Sequence, residues 1–575
     1  MGEAHQLSQE LAPVLAPEPQ ETQLALTGRP RPEPRPYSHP HPFRMWVTSF
    51  AVIWLAMAAW SFASPLGSAP DEPAHLIRAA SVVRGQLLGE PVPHPSPMTR
   101  GTVTVEVPQI FARLANDVGC FQFKPQVPAS CQGSLAGSRS DVGVYTYVGR
   151  YPPLYYGLVG LPTLVLVSPG GMYGARLVSA ALSAAMLALS LLSLRRCRGA
   201  PLLGAGLALA VTPMALYLGG VVNPSGLEIS SAISAWMAAM ALVAEVTGER
   251  QVSGGRGNGS EPGEEIPAGQ LLDSAVASNS AAGPPNAISS SNVAALGISA
   301  IVLILCRGLS PVWAAFIGLA LVVLLGRKWR DLLRQHAVKG WLGGCVAALV
   351  AAGVWDLIAD PFLTEPGAPV PPGTSTSQLF MLALERLDLI VTSTIGQFGW
   401  LDTPSPYAVV LAWVAALGAV FFLAVCVARR REVLVAVAAV LAWVVVPLAI
   451  ILSQGRSEGI LGQGRDFMAL GVGIPLIASS IAGQRLGGRA ASLRLGALIV
   501  IVLGVCQLAD FYGALRRNTV GTAGPINAFS SARNSWHPAI PAVALFIVFV
   551  LAVAALCQLI SRAAHAQAAA PANEA

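Results

Sequence analysis

Charged residues are scarce in this sequence: Asp, Glu, Lys and Arg make up 11% of its 575 residues, whereas 54% are apolar. An ordinary soluble domain has about a quarter charged residues, so this chain has too few to cover a surface exposed to water. Apolar runs long enough to cross about 30 Å of hydrocarbon recur from position 45 almost to the C-terminus. The composition therefore excludes a water-soluble fold and predicts an all-α polytopic protein in a lipid bilayer.

Motifs of several large protein classes are also missing. The sequence has no Walker loop, dinucleotide fingerprint, HExxH or paired CxxC, which argues against ATP hydrolysis and structural zinc. Its basic residues lie in short loops between apolar runs rather than in one patch, so nucleic acid is not an expected partner. Of the eight cysteines, Cys120 and Cys131 lie in a polar loop, where a disulfide is reasonable if the loop is extracytoplasmic.

Arg and Lys clusters at alternate ends of the apolar runs predict the topology. With the clusters inside, both chain ends lie in the cytoplasm of a cell-membrane protein. The short run after Tyr151 would place the basic cluster at 195–198 outside if it spanned, so we interpret it as a juxtamembrane or re-entrant segment. Twelve spans are predicted: 45–64, 172–194, 202–222, 227–246, 293–306, 312–326, 341–358, 409–428, 434–452, 467–482, 495–512 and 540–560.

The polar segments complete the predicted domain organisation. Residues 1–44 are rich in Pro, Gln and Glu and predict a disordered cytoplasmic tail. A transmembrane domain of 45–562 and a second cytoplasmic tail of 563–575 follow. The transmembrane domain contains three long polar segments. Residues 65–171 are a first extracytoplasmic loop with juxtamembrane segments, 247–291 are a flexible cytoplasmic linker, and 359–407 are a second extracytoplasmic loop.

Six ionisable residues map to the external ends of the predicted helices. Charge at membrane depth is costly unless it is paired or hydrated, so this pattern predicts a water-accessible cavity that opens outward. The alternative is that the side chains simply reach the headgroups by snorkelling. The residues are Arg176, Glu228, Arg307, Asp356, Asp466 and Asp510.

The sharpest local motif is Asp71-Glu72-Pro-Ala-His75-Leu-Ile-Arg78, directly after the first span. In one interpretation, Asp71 or Glu72 caps a juxtamembrane helix that Pro73 begins. In the other, a carboxylate is held beside the outer leaflet, where it deprotonates a hydroxyl or binds a divalent cation. The spacing does not decide between them.

Three further motifs are weaker. Residues 151–156 (YPPLYY) are typical of an interfacial helix with an aromatic belt, or form the wall of a lipid or sugar site. Residues 223–228 (NPSGLE) read first as a turn between two spans. In 463–466 (QGRD), Arg465 either holds a phosphate bidentately or pairs with Asp466.

Together these motifs resemble the polytopic membrane family catalogued as domain of unknown function 2142, common in actinobacteria. The likeness covers about residues 45–560 and rests on 70–75, 151–156, 223–225 and 463–467. That family is similar to the GT-C class of membrane glycosyltransferases, which take a sugar from a polyprenyl-phosphate carrier at the extracytoplasmic face. The resemblance implies a GT-C-like fold with juxtamembrane helices in the first loop, and a catalytic carboxylate at Asp71 or Glu72.

Three functional hypotheses follow from these residues and the resemblance. The first is inverting transfer of a sugar from a polyprenyl-phosphate carrier to a cell-envelope acceptor, with Asp71 or Glu72 as proton acceptor. The second is a transporter or flippase of lipid-linked sugar, and the third is a non-catalytic envelope-assembly scaffold. Any divalent cation would bind Asp71 and Glu72. The predicted substrate-binding residues are His75, Arg78, Tyr151, Tyr155, Asn223, Arg307 and Arg465. Of these, His75 and Arg78 would line the entrance, and Arg465 or Arg307 would neutralise the lipid phosphate.

Overall fold

The computed structural model describes residues 42–93, 99, 101–135, 137–197, 200–248, 289–360, 369–487, 490–529 and 535–565. Most of the predicted tail 1–44, most of the predicted linker 247–291 and most of the predicted tail 563–575 lie outside the described residues. The part that is described is mainly α-helical.

The helices are numbered in chain order. The first ten are α1 Pro42–Ala63, α2 Glu72–Val83, α3 Gln109–Asp117, α4 Pro153–Val159, α5 Leu161–Val165, α6 Pro169–Arg195, α7 Ala200–Ala210, α8 Pro213–Gly219, α9 Pro224–Gly248 and α10 Ser290–Ile304. The others are α11 Ser310–Leu325, α12 Trp329–Leu332, α13 His336–Ala359, α14 Thr376–Ile395, α15 Tyr407–Val427, α16 Arg430–Gln454, α17 Gly464–Gly471, α18 Gly473–Leu486, α19 Ala490–Val520 and α20 Ala542–His565.

Within the described ranges, ten helical segments are long and apolar enough to cross a bilayer, or eleven if the bent pair α7–α8 is one span. Helix α10 is also apolar, but its 15 residues extend only about 22 Å at 1.5 Å per residue. These twelve segments coincide with the twelve predicted apolar runs. The polytopic all-α fold class is therefore confirmed.

The break between α7 and α8 bends the chain by 59° and has a local cause. Pro213 has no N–H, so the carbonyl of Leu209 loses its helical donor. The Trp413 indole N–H donates to that carbonyl at 3.0 Å, and the Gln507 amide donates to the Val211 carbonyl at 2.8 Å. Neighbouring helices thus satisfy the carbonyls that the break frees.

The bundle packs around two central segments. Helices α9 and α17–α18 are almost wholly buried, whereas α13 and α15 are largely exposed and carry apolar side chains outward, as expected of helices that face lipid. At the centre, the fully buried Trp60 ring contacts four aromatic rings whose centroids lie 4.9–5.9 Å away: Tyr217, Phe398, Phe511 and Phe549.

The first predicted loop folds into a small unit beside the bundle. Strands β1 Glu90–Pro91, β2 Val103–Pro108 and β3 Asp141–Thr146 form an antiparallel sheet in that order. Alternate residues of β2 share one core with α2, α3 and α4. Cys120 and Cys131 form a disulfide in this unit. The short run after Tyr151 forms the helices α4 and α5, of seven and five residues, which are too short to cross a bilayer.

The second predicted loop also contains regular structure. Its helix α14 begins at a capping box in which the Ser375 hydroxyl accepts from the Gln378 backbone N–H and the Gln378 side chain accepts from the Ser375 N–H. Strands β4 Gln397–Phe398 and β5 Thr403–Pro404 pair directly after this helix. Helix α14 packs against α16 and α17, and so supports the helix that carries Arg465.

Candidate active site

Asp71 is held in an uncommon backbone conformation at the start of α2. Its φ of 62° and ψ of 2° lie in the left-handed region, which costs a non-glycine residue about 1–3 kcal/mol and occurs preferentially at functional sites. The Tyr147 hydroxyl donates to Asp71 Oδ1 at 2.6 Å, and the Arg465 guanidinium donates to Oδ2. Arg465 also donates to the Pro70 carbonyl at 3.2 Å, so Asp71 is held from both sides.

The carboxylate of Asp71 does not cap α2, although Asp71 is the N-cap residue. The expectation of a simple capped helix on the membrane surface is therefore wrong, and α2 is buried along its length. Burial raises the pKa of the Asp71 carboxyl, but the Arg465 guanidinium and the Tyr147 hydroxyl outweigh this effect and lower it below its ordinary value. With a side chain that is 27% exposed, Asp71 is an ionised carboxylate within reach of a ligand.

Arg465 reaches Asp71 from the first turn of α17. The backbone N–H of Gly464 donates to the Ser393 hydroxyl of α14 at 2.8 Å. A Cβ on Gly464 would lie 2.4 Å from the backbone nitrogen of Thr394, so glycine is required for this close approach. The glycine of the 463–466 motif therefore sets the position from which Arg465 extends.

A second guanidinium, that of Arg307, contacts the same turn. It donates to Glu228 Oε2 at 3.4 Å, to Asp466 Oδ1 at 3.3 Å and to the Ser225 hydroxyl at 3.1 Å. It also lies 5.8 Å from the centre of the Tyr151 ring. Arg465 is 4.0 Å from Asp466, so the predicted pairing of these neighbours is only marginal. Two guanidiniums and three carboxylates (Asp71, Glu228 and Asp466) thus form one continuous cluster.

A pocket of about 180 Å³ opens beside Arg307. Its polar lining includes Tyr151, Glu228, Arg307 and Asp466. The remaining lining includes apolar side chains from the residue before α11, from α16 and α17, and from the segment between the last two: Leu309, Ile450, Ile451, Leu461 and Phe467. Such a pocket suits an amphiphilic ligand, with its polar part at the guanidinium and its chain along the apolar side chains.

Glu72 lies beside Asp71 in the sequence, but its side chain is fully buried. Each of its carboxylate oxygens accepts a hydrogen bond from Arg176 at 2.6 Å and one from a backbone N–H, that of Val222 or Gly67. Arg176 also donates to three carbonyls at the end of α1: Ser61, Ser64 and Pro65. The predicted use of Glu72 as a proton acceptor, or as a cation ligand together with Asp71, does not fit this arrangement.

His75 and Arg78 are buried as well, so the expectation that they line an entrance is wrong. His75 is 3% exposed and Arg78 is 0% exposed. His75 Nδ1 lies 2.8 Å from the Tyr156 hydroxyl, and burial lowers the pKa of its imidazole to about 3, so the ring is neutral. Arg78 donates to the carbonyls of Leu87 and Tyr151 and joins α2 to the chain before α4.

Two other predicted substrate-binding residues have structural contacts. The buried Tyr155 hydroxyl is 2.8 Å from the Ser179 hydroxyl of α6, away from the carboxylate cluster. The Asn223 amide donates to the Pro70 carbonyl at 3.3 Å, so it holds the backbone that precedes Asp71. Of the predicted substrate-binding residues, Tyr151, Arg307 and Arg465 are the ones the structure brings to the site.

The six predicted helix-end charges do not form one ring. Glu228, Arg307 and Asp466 converge at the pocket, whereas Arg176 is paired with Glu72. Asp510 is buried against the Ser405 hydroxyl at 2.8 Å, and Asp356 makes no contact with the cluster that the structure records. The pocket is thus lined by three of the six predicted residues.

Tyr147 is the functional candidate that the sequence did not reveal. It follows β3 in a segment whose alternating pattern is that of an ordinary strand, and no motif marks its hydroxyl.

The described residues hold no group of three or more His, Cys, Asp or Glu side chains placed to bind a metal ion.

Comparisons with known proteins find a family and a solved structure that are similar to this chain. The family model described as predicted membrane protein (DUF2142) matches residues 54–254 and 274–474, which include Asp71, Arg307 and Arg465. A crystal structure of ArnT from Cupriavidus metallidurans bound to undecaprenyl phosphate is similar at 15% identity, with a TM-score of 0.36 over 91% of this chain and 78% of that chain. No curated protein matches the chain.

Proposed function

The chain belongs to the DUF2142 family of predicted membrane proteins, and from this premise we propose that it is an inverting glycosyltransferase. Its donor is a sugar on a polyprenyl-phosphate carrier, and its acceptor is a hydroxyl of a cell-envelope glycan, lipid or protein at the extracytoplasmic face. The observation that carries the proposal is Asp71, an accessible carboxylate in a strained backbone conformation that is paired with the Arg465 guanidinium.

The proposed reaction is a single displacement at the anomeric carbon of the sugar, and it needs only a proton acceptor and cations at the phosphate. The acceptor oxygen attacks the anomeric carbon of the sugar, and the bond from that carbon to the phosphate oxygen breaks. The acceptor proton passes to Asp71, and the polyprenyl phosphate leaves with the bonding electron pair. Arg465 and Arg307 stabilise the negative charge that develops on the phosphate, as guanidiniums do in other phosphate sites.

The pairing of Asp71 with Arg465 gives the donor a second role. In the ligand-free arrangement, Arg465 lowers the pKa of Asp71 and so weakens it as a base. A phosphate that draws Arg465 away would let this pKa rise toward the range in which a carboxylate accepts a proton effectively. Donor binding would thereby activate the base, which disfavours side reactions while the donor site is empty.

One observation bears on the transporter alternative. Transporters often carry substrate on broken helices whose free backbone groups face the binding site, and the pair α7–α8 is a broken helix. Its freed carbonyls, however, accept from Trp413 and Gln507. The break therefore offers these groups to the protein interior rather than to a substrate, and we favour the enzyme.

The proposal is tested by complementing a deletion strain of the host with variant genes and comparing the envelope glycan profile. Asp71→Asn keeps the shape of the side chain but removes the base, and we expect it to reproduce the deletion profile. Asp356→Asn is the matched control, because it neutralises a carboxylate outside the cluster, and it should restore the wild-type profile. Membrane levels of each variant are measured by immunoblot.

Three outcomes distinguish the hypotheses. A wild-type profile from Asp71→Asn, at wild-type protein level, would exclude Asp71 as proton acceptor and favour a scaffold. Sugar transfer in proteoliposomes with extracted lipid-linked sugar and acceptor on the same side supports the enzyme. Net movement of the labelled lipid-linked sugar across the bilayer without transfer would support a transporter.

A further inference from the structure

A second, larger cavity lies at the other end of the bundle. It has a volume of about 930 Å³ and lies between α9, α11, α16 and α18. Helix α9 contributes Glu228 to the candidate active site and Thr247 to this cavity, and these residues are roughly 28 Å apart along the helix. Helix α16 contributes Gln454 to the first and Arg430 to the second, again roughly 36 Å apart. The two cavities therefore lie at opposite ends of the same helices.

The lining of this cavity is strongly basic. One carboxylate, Glu432, and six cations surround it: Arg327, Lys328, Arg429, Arg430, Arg431 and Arg485. Glu432 accepts from Arg485 at 2.6 Å, and Lys328 donates to the Val246 carbonyl. Within the described chain, the other four guanidiniums form no ion pair.

Apolar side chains complete the cavity on the side of the bundle core. The wall consists of Met240, Val243, Ala244, Leu324, Leu325 and Ile481. A concentration of cations in water at a protein surface repels itself and is stabilised by an anion. The adjoining apolar wall, at the end of membrane-spanning helices, fits an anion that carries a hydrocarbon chain better than a soluble one.

We propose that this cavity binds the headgroup of an anionic phospholipid. The phosphodiester lies among the guanidiniums of Arg327 and Arg429–Arg431, and part of an acyl chain lies against the wall from α9 and α11. Positively charged pockets between membrane helices suit such headgroups. If the basic residues served only to orient the chain in the bilayer, neither a defined cavity nor a preference among lipids would be expected.

The test uses the full-length protein in neutral phosphatidylcholine nanodiscs, with phosphatidylglycerol or cardiolipin added in steps. Native mass spectrometry measures bound lipid, and thermal unfolding measures stabilisation. Saturable binding of the anionic lipid and a rising unfolding midpoint are expected for the wild type. The triple variant Arg429→Gln, Arg430→Gln, Arg431→Gln should bind it roughly 100-fold more weakly, since each basic side chain near an anionic headgroup contributes about a factor of five.

The matched control removes the same charge outside the cavity: Arg330→Gln, Arg334→Gln and Lys339→Gln, which should bind like the wild type. Equal loss in both triple variants, or no preference for the anionic lipid, would overturn the proposal. Competition by dissolved pyrophosphate as strong as that by lipid would show a soluble-anion site instead. If the triple variant does not fold, Arg430→Gln alone is compared with Arg330→Gln in the same titration.

Discussion

Replacing Glu72 with Gln tests whether Glu72 has a structural role, in contrast to the catalytic role proposed for the neighbouring Asp71. Four N–H groups converge on the Glu72 carboxylate, two on each oxygen. A Gln amide has one oxygen, so in either orientation its NH₂ group faces two donors. The substitution also leaves the Arg176 guanidinium, which is fully buried, without its counter-ion. Breaking one side of a buried ion pair in this way destabilises a protein by about 3–5 kcal/mol.

The corresponding change at Asp71 should cost much less. Its side chain is 27% exposed, and Asp71→Asn keeps one acceptor oxygen but loses the ion pair with Arg465, which solvent replaces in part, at a cost of about 1–2 kcal/mol. Denaturant titration in mixed micelles, followed by tryptophan fluorescence, measures both free energies of unfolding. In a double-mutant cycle, Glu72→Gln with Arg176→Gln should cost less than the sum of the single changes.

The two variants are then compared for sugar transfer at equal folded concentration. We expect Asp71→Asn to be stable but inactive, and Glu72→Gln to be unstable but active per folded molecule. If Glu72→Gln were as stable as the wild type, to within about 0.5 kcal/mol, and inactive, the assignment would be reversed and Glu72 would be the proton acceptor.

Two further outcomes are expected. The pKa of Asp71 lies below its ordinary value of 3.8, so its ion pair stabilises the fold above that pH. This stabilisation is lost as the pH falls through the folded-state pKa. The difference in unfolding midpoint between wild type and Asp71→Asn should hold from about pH 5 to 8 and shrink below about pH 4, whereas a constant difference would refute the pairing. Gly464→Ala should destabilise the protein by about 1–3 kcal/mol, because its Cβ would meet the α14 backbone. Gly513→Ala, with nothing within 4 Å, should not destabilise it in the same titration, since alanine is favoured over glycine inside a helix.

The positions of the membrane helices could be predicted from the sequence because hydrophobicity is a local property. Each of the twelve predicted runs corresponds to a helical segment of the structure, including the short α10 and the bent pair α7–α8. The run after Tyr151 was separated from the spans by the placement of the basic cluster that follows α6, which is also read locally.

The division of roles between Asp71 and Glu72 could not be predicted in this way. Their partners lie far along the chain: Arg176 is 104 residues from Glu72, and Arg465 is 394 residues from Asp71. Tyr147 reaches Asp71 from the end of a strand across 76 residues. Adjacent residues at a helix start point in different directions, and only the packing of the bundle decides which one is buried.

The sequence by itself determined a polytopic all-α membrane protein, the approximate limits of its spans and a short set of residues able to do chemistry. Tertiary structure selected among that set, because burial and ion pairing depend on contacts between distant segments. It enclosed Glu72, His75 and Arg78 and left Asp71 accessible between Tyr147 and Arg465. It also gathered basic residues from three separate segments into one cavity, since the packing of the bundle brings the ends of α9, α11 and α18 and the start of α16 together.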